Sequence, residues 1–170
     1  MTKPTSIVFS GLPGAGKTTL ARAVAKDCSA AYLRIDTIEQ ALRDAMTLPD
    51  DVGPAGYVIA CALAGSRSVV ADAVNALPIT RDAWRKVVET TASLLAEIEV
   101  ICSDAAEHRR RVETRSIDVP GLPPLTWEDV LTGDYQAWDR PHVVVDTANR
   151  TPSDHLQTCG RSCIWRHRHR

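Results

Sequence analysis

The segment Gly11-Leu12-Pro13-Gly14-Ala15-Gly16-Lys17-Thr18 matches G-x-x-x-x-G-K-[S/T] at every fixed position. It follows a short apolar, β-branched run, Ile7 to Ser10. It precedes Thr18 to Cys28, where Leu20, Ala21, Val24 and Ala25 recur at helical spacing. A strand, a glycine loop and a helix in that order form the context in which this motif cradles phosphate. Glycines let successive N–H groups turn inward toward phosphate oxygens, and the helix adds the positive end of its dipole. The expected phosphate cradle therefore comprises Gly11, Leu12, Pro13, Gly14, Ala15, Gly16, Lys17, Thr18 and Thr19. Lys17 would bridge the β- and γ-phosphates of ATP, and the Thr18 hydroxyl would bind Mg²⁺.

The rest of the chain alternates strand and helix. Ala31 to Ile35, Ser68 to Ala71, Glu97 to Cys102 and His142 to Asp146 read as further strands. Thr37 to Met46, Ala55 to Ala64 (a buried helix), Thr80 to Leu95 and Asp104 to Arg115 read as helices. Near-continuous Val/Ile runs joined through helices predict a parallel sheet covered on both faces, a three-layer α/β sandwich. With 170 residues, the chain has room for one domain with its own core. That domain is expected over residues 1–156. Within it, residues 104–128 form a lid region, whose Ile117 to Leu125 stretch holds Pro120, Pro123 and Pro124 and is too proline-rich for regular structure. Thr126-Trp127-Glu128-Asp129 predicts a helix start with a carboxylate three residues after its cap.

Composition limits the function classes. Hydrophobic residues make up 44% and charged residues 24%, an ordinary globular mixture. The longest apolar stretch, Tyr57 to Ala64, is far short of a membrane span, and no leader pattern precedes the first strand. The expected location is cytoplasmic. Arg161, Arg166, Arg168 and Arg170 offset an otherwise acidic chain, so the body argues against a broad nucleic-acid face. Cys28, Cys61 and Cys102 lie in apolar patterns and read as free thiols. Residues 157–170 read as a disordered basic tail. Its Cys159, Cys163, His167 and His169 have zinc-ligand types but lack the hairpin and apolar residues of a finger.

Three features add chemistry to the loop. Asp72 ends an apolar strand, where a carboxylate either caps the next turn or holds Mg²⁺ beside Thr18. Asn75, three residues on, either faces the same crevice or serves the turn before Pro78. Asp36 follows the second strand directly. There it either caps the helix beginning near Thr37 or takes the proton of an attacking hydroxyl, and the two roles are compatible. Arg111 and Arg115 are four apart on a helix carrying His108, Arg109 and Arg110. They either form a solvated basic face or lean over the phosphates to neutralise charge developing in transfer.

Together these residues resemble the small P-loop kinases, above all the AAA-33-type "AAA family ATPase" or predicted-kinase group. Chloramphenicol phosphotransferase, polynucleotide kinase, zeta toxin and adenylylsulfate kinase are relatives of that group. The resemblance covers about Thr5 to Ala148. It implies a P-loop NTPase sheet of five parallel strands in the order 2-3-1-4-5. It also implies transfer of the γ-phosphate of ATP·Mg to a hydroxyl of a small-molecule or nucleoside-like acceptor. Ile35-Asp36-Thr37 resembles the Val-Asp-Ser segment of chloramphenicol phosphotransferase, which implies Asp36 as base. Val70-Ala71-Asp72-Ala73-Val74-Asn75 is similar to the group's Walker B region, and Arg111 and Arg115 match its lid arginines. Trp127 and Trp138 are similar to a tryptophan pattern of unassigned role. The join Ala64-Gly65-Ser66-Arg67-Ser68 is tighter than the group's usual one. Alternatives are an ATPase or NTP-binding module without an acceptor, and a polynucleotide 5′-hydroxyl kinase.

Overall fold

The computed structural model describes residues 3–46, 52–151 and 154. The elements run β1 (Thr5–Ser10), α1 (Lys17–Cys28), β2 (Ala31–Arg34), α2 (Ile35–Met46), α3 (Ala55–Ala64), β3 (Val69–Asp72), α4 (Pro78–Thr91), β4 (Leu94–Ile101), α5 (Ala105–Thr114), α6 (Trp127–Thr132) and β5 (Val143–Asp146). Every strand pairing is parallel, and the sheet order is β2-β3-β1-β4-β5, as expected.

Successive side chains of a strand point to opposite faces, and this alternation divides the core. Ile7 and Phe9 of β1 pack with Leu20, Ala21 and Val24 of α1 and with Val70, Ile98, Val100 and Val145. Val8, between them, packs on the other face with Ile35, Ala60, Ala64, Val69, Ala71 and the fully buried Trp84. Each such buried aliphatic or aromatic side chain contributes roughly 1.5–3 kcal/mol relative to exposure. Helices therefore cover both faces, and the central strands β1 and β3 are dry on each side.

Several boundaries differ from the sequence reading. Strand β2 ends at Arg34, and Ile35, read as strand, opens α2. Leu95, read as the end of a helix, belongs to β4. Ala92 takes a left-handed conformation (φ 51°) that stops α4, and β4 starts two residues later. Helix α3 has its expected bounds but is not buried on all sides, since Val58, Ile59 and Leu63 face outward.

The tight join before β3 does not displace that strand. The Ser68 hydroxyl accepts from the Thr5 amide (3.1 Å), and the Ser68 carbonyl accepts from the Ala31 amide (3.1 Å). These bonds tie the join to β1 and β2, and β3 pairs in register with both. The basic tail and its Cys159, Cys163, His167 and His169 lie outside the described residues. Among the described residues, no helix is long and apolar enough to cross a membrane.

Candidate active site

A parallel sheet brings the carboxyl ends of its strands to one edge, and here that edge gathers the candidate residues. Asp72, at the end of β3, lies in register with Phe9 of β1 and with Arg34 of β2. The glycine loop leaves β1 beside it. Three of its glycines have positive φ (Gly11 131°, Gly14 80°, Gly16 97°), a conformation that suits residues without a Cβ. The loop, Asp36, Asp72 and the end of α5 surround a cleft of ≈ 500 Å³.

One wall of the cleft is the loop and what fastens it. Lys17, 8% exposed, donates from Nζ to the Leu12 carbonyl at 2.9 Å. Burial lowers the pKa of its ammonium, while the charges of Asp72 and Asp36 oppose that shift. Helix α5 packs directly on the loop. His108 Nε2 lies 2.7 Å from the Pro13 carbonyl, and the His108 ring meets Trp127 edge-on at 5.1 Å. A Cβ on Gly14 would come within 2.5 Å of Val112 Cγ2. Thr147, just beyond β5, donates from Oγ1 to the Ala15 carbonyl (2.9 Å) and in turn accepts from Arg111 Nη1 (2.7 Å). Arg111 also donates from Nη2 to the Thr147 carbonyl and to Glu107 Oε1. Asp104 starts α5 by accepting from the amides of Ala106 and Glu107.

The metal-binding pair expected from the sequence comes together. Thr18 Oγ1 donates to Asp72 Oδ2 at 2.7 Å, and the Tyr32 hydroxyl donates to the same oxygen at 2.7 Å. Asp72 is 3% exposed. A hydroxyl beside a buried carboxylate supplies the hard oxygen donors that Mg²⁺ takes. One or two protein oxygens suffice when phosphates and water complete the shell. No group of three or more His, Cys, Asp or Glu suited to a metal occurs among the described residues, so the residues fit a shared site of this kind rather than an all-protein cage.

The rest of the cleft lining is largely charged side chains. Asp36 lies in the first turn of α2, inside the helix rather than at its cap, and its side chain is 40% exposed toward the cleft. Arg34, only 8% exposed, donates from Nε and Nη2 to Asp36 Oδ2, both at 3.3 Å. Its Nη1 donates to Asp118 Oδ1 at 2.7 Å, and Arg22 Nη2 donates to Asp118 Oδ2 at 2.9 Å. Arg115, at the end of α5, lines the cleft half-buried, with no hydrogen bond or ion pair among the described residues.

Two expected arginines thus reach the cleft in different states, Arg111 engaged and Arg115 unengaged. Tyr32, Arg34, Arg22 and Asp118 were not singled out from the sequence. The available signal was Arg34, a charge inside the otherwise apolar run Ala31 to Ile35. Arg22 lies one helical turn beyond Thr18. Asn75 takes the turn role. Its Nδ2 donates to the Phe9 carbonyl and Ser10 Oγ, and its Oδ1 accepts from Trp84 Nε1, all fully buried at φ 48°. The tryptophans also gain roles. Trp127 braces His108, and Trp138 lies 4.4 Å over the Arg81 guanidinium and stacks on His142 at 4.1 Å.

Comparison with known proteins agrees with this architecture. The AAA domain model AAA_33 matches residues 7–121, more than half of the chain. No curated protein matches the sequence. Among solved structures, a candidate kinase from Chloroflexus aurantiacus superposes with a TM-score of 0.74 at 17% identity, over 98% of this chain and 99% of that one. A gluconokinase from Sinorhizobium meliloti gives 0.65 at 20% identity, covering 92% and 90%. The Mycobacterium tuberculosis APS kinase CysC, in complex with AMPPNP and APS, gives 0.67 at 19% identity, covering 93% and 96%. At such identities the likeness establishes the fold alone, a five-stranded parallel P-loop sandwich.

Proposed function

The chain belongs to the AAA domain family AAA_33, and on that premise we propose that it transfers the γ-phosphate of ATP to a hydroxyl of a small-molecule acceptor. The observation that carries this reading is the position of Asp36. It is a carboxylate about two-fifths exposed in the same cleft as Lys17, Thr18 and Asp72, and near enough for its charge to act on the Lys17 ammonium. A protein that only binds nucleotide has no need of a base there, and one that hydrolyses it would turn the same base on water, so dependence on an acceptor separates the two.

In the proposed reaction, loop amides hold the phosphates and Lys17 exchanges its bond with the Leu12 carbonyl for β- and γ-phosphate oxygens. Thr18 and Asp72 would hold Mg²⁺, which would supply positive charge to offset that of the phosphates. Asp36 accepts the acceptor's hydroxyl proton as that oxygen bonds to the γ-phosphorus and the bond to ADP breaks. Arg34 fixes the Asp36 carboxylate through its paired N–H groups, leaving Oδ1 for the proton. Arg115 donates to the transferring group, and Arg111 holds Thr147 against the loop.

Acceptor-dependent ADP release, measured over a panel of hydroxylated small molecules, tests the reading. It should appear in the wild type and vanish in Asp36→Asn while ATP binding persists. Turnover that ignores both the acceptor and Asp36 would overturn it in favour of an ATPase.

A further inference from the structure

The acceptor wall holds more positive charge than the reaction requires. Lys17 and Arg115 suffice to meet the transferring phosphoryl group. Arg22 and Arg34 nevertheless also line the cleft, from α1 and from the end of β2. Both end on one carboxylate. Asp118 places Oδ1 on Arg34 Nη1 (2.7 Å) and Oδ2 on Arg22 Nη2 (2.9 Å), one oxygen for each guanidinium. This arrangement of two guanidiniums is the one that recognises a planar or tetrahedral oxyanion.

The two sides of this contact differ in kind. Arg34 is 8% exposed and anchored in the sheet, and Arg22, on α1, is 56% exposed with its guanidinium 5.7 Å from the Tyr32 ring. Asp118 is 41% exposed and belongs to the irregular segment between α5 and α6. A pair of guanidiniums carried on regular elements, one buried and one open to solvent, is thus filled by a carboxylate on a loop. The Arg34 hydrogen bond keeps the Asp118 carboxyl below the usual carboxylate range, so the loop presents an anion under ordinary conditions. The same guanidinium of Arg34 touches Asp36. An anion in place of Asp118 would therefore lie within one guanidinium's width of the proposed base.

We propose that Arg22 and Arg34 form the acceptor's anion clamp, that the acceptor is a hydroxylated acid, and that Asp118 fills the clamp as an internal stand-in which the acceptor displaces. The proposal rests on the kinase reading for the word acceptor, but the clamp itself is an anion site that can be measured without turnover. A carboxylate and a phosphate monoester share the required chemistry, and the experiment separates them.

The test is calorimetric binding to the protein saturated with AMPPNP and Mg²⁺, which occupies the glycine loop so that any further anion reports on a second site. The probes are inorganic sulfate, D-glycerate, glycerol 3-phosphate and, as the neutral control, glycerol. At least one anion should bind, Asp118→Ala should tighten it by about tenfold, and Arg22→Met in the Asp118→Ala background should weaken it by about tenfold, the scale of one charge-assisted hydrogen bond. Preference between D-glycerate and glycerol 3-phosphate names the anion. Three outcomes would overturn the proposal: no anion binding in either the wild type or Asp118→Ala, glycerol binding as well as the acids, or affinities indifferent to both substitutions. Indifference would make Asp118 a loop latch only. A clamp that binds anions in a protein that phosphorylates no acceptor would sink the kinase reading and leave the clamp standing.

Discussion

The two walls of the cleft are built on opposite principles. The nucleotide wall is backbone and close packing. Loop carbonyls of Leu12, Pro13 and Ala15 are each engaged by a side chain, and Val112 fills the space beside Gly14. The proposed acceptor wall is side-chain charge, with Asp36 and Asp118 about two-fifths exposed and held by arginines from β2 and α1. The first wall suits a ligand part that never varies, the triphosphate, because backbone groups cannot be exchanged by mutation. The second suits a part that varies among related proteins, because each contact is one residue.

The sharpest way to break this contrast is at the loop itself. Gly14→Val should abolish ATP binding, because a side chain there meets Val112 and φ is 80°. Equilibrium titration with a fluorescent ATP analogue checks this, with circular dichroism confirming the fold. On the opposite wall, Asp36→Asn should lower kcat by about 10²–10⁴-fold, the usual worth of a positioned base, with the ATP Kd unchanged. Parallel loss of ATP affinity would merge the walls into one.

The arginine pair sharpens the comparison. Arg115→Ala should reduce kcat by roughly 10-fold or more with little change in thermal stability, since it has no partner among the described residues to lose. Arg111→Ala should instead act on the nucleotide wall, raising the KM for ATP and lowering Tm, because it removes the donor to the Thr147 hydroxyl and to Glu107 Oε1. Steady-state kinetics with both substrates varied separates the two patterns. The smallest effect is expected from Asp104→Ala. Losing the α5 cap should cost about 1 kcal/mol of stability by denaturant melts, with kcat nearly preserved.

The nucleotide wall was legible in the sequence, and the acceptor wall only in part. The glycine pattern is local and physically forced, so residues 11–18 announce themselves. Asp72 follows from an apolar run closing in an acid, and Asp36 was found the same way although its strand stops at Arg34 and the acid falls in the first turn of α2. Arg22, Arg34 and Asp118 come from three separate elements, and nothing in a linear reading joins charges so far apart. His108 and Thr147 escaped for a related reason. Their partners are backbone carbonyls of the loop, which carry no sequence signature. Asn75 was visible as a residue, but its role was not, because the turn it serves is defined by contacts to Phe9, Ser10 and Trp84.

The contact between Gly14 and Val112 has a meaning for how such a protein can change over evolutionary time. The two positions form one unit of inheritance. A bulkier residue at 112 would press on the loop, and a residue other than glycine at 14 would be rejected even if 112 shrank to alanine, because its left-handed φ would remain. Drift on this face of α5 is therefore one-sided, toward smaller residues only. The charged positions across the cleft are free of that ratchet, so a lineage seeking a new acceptor would be expected to vary there first.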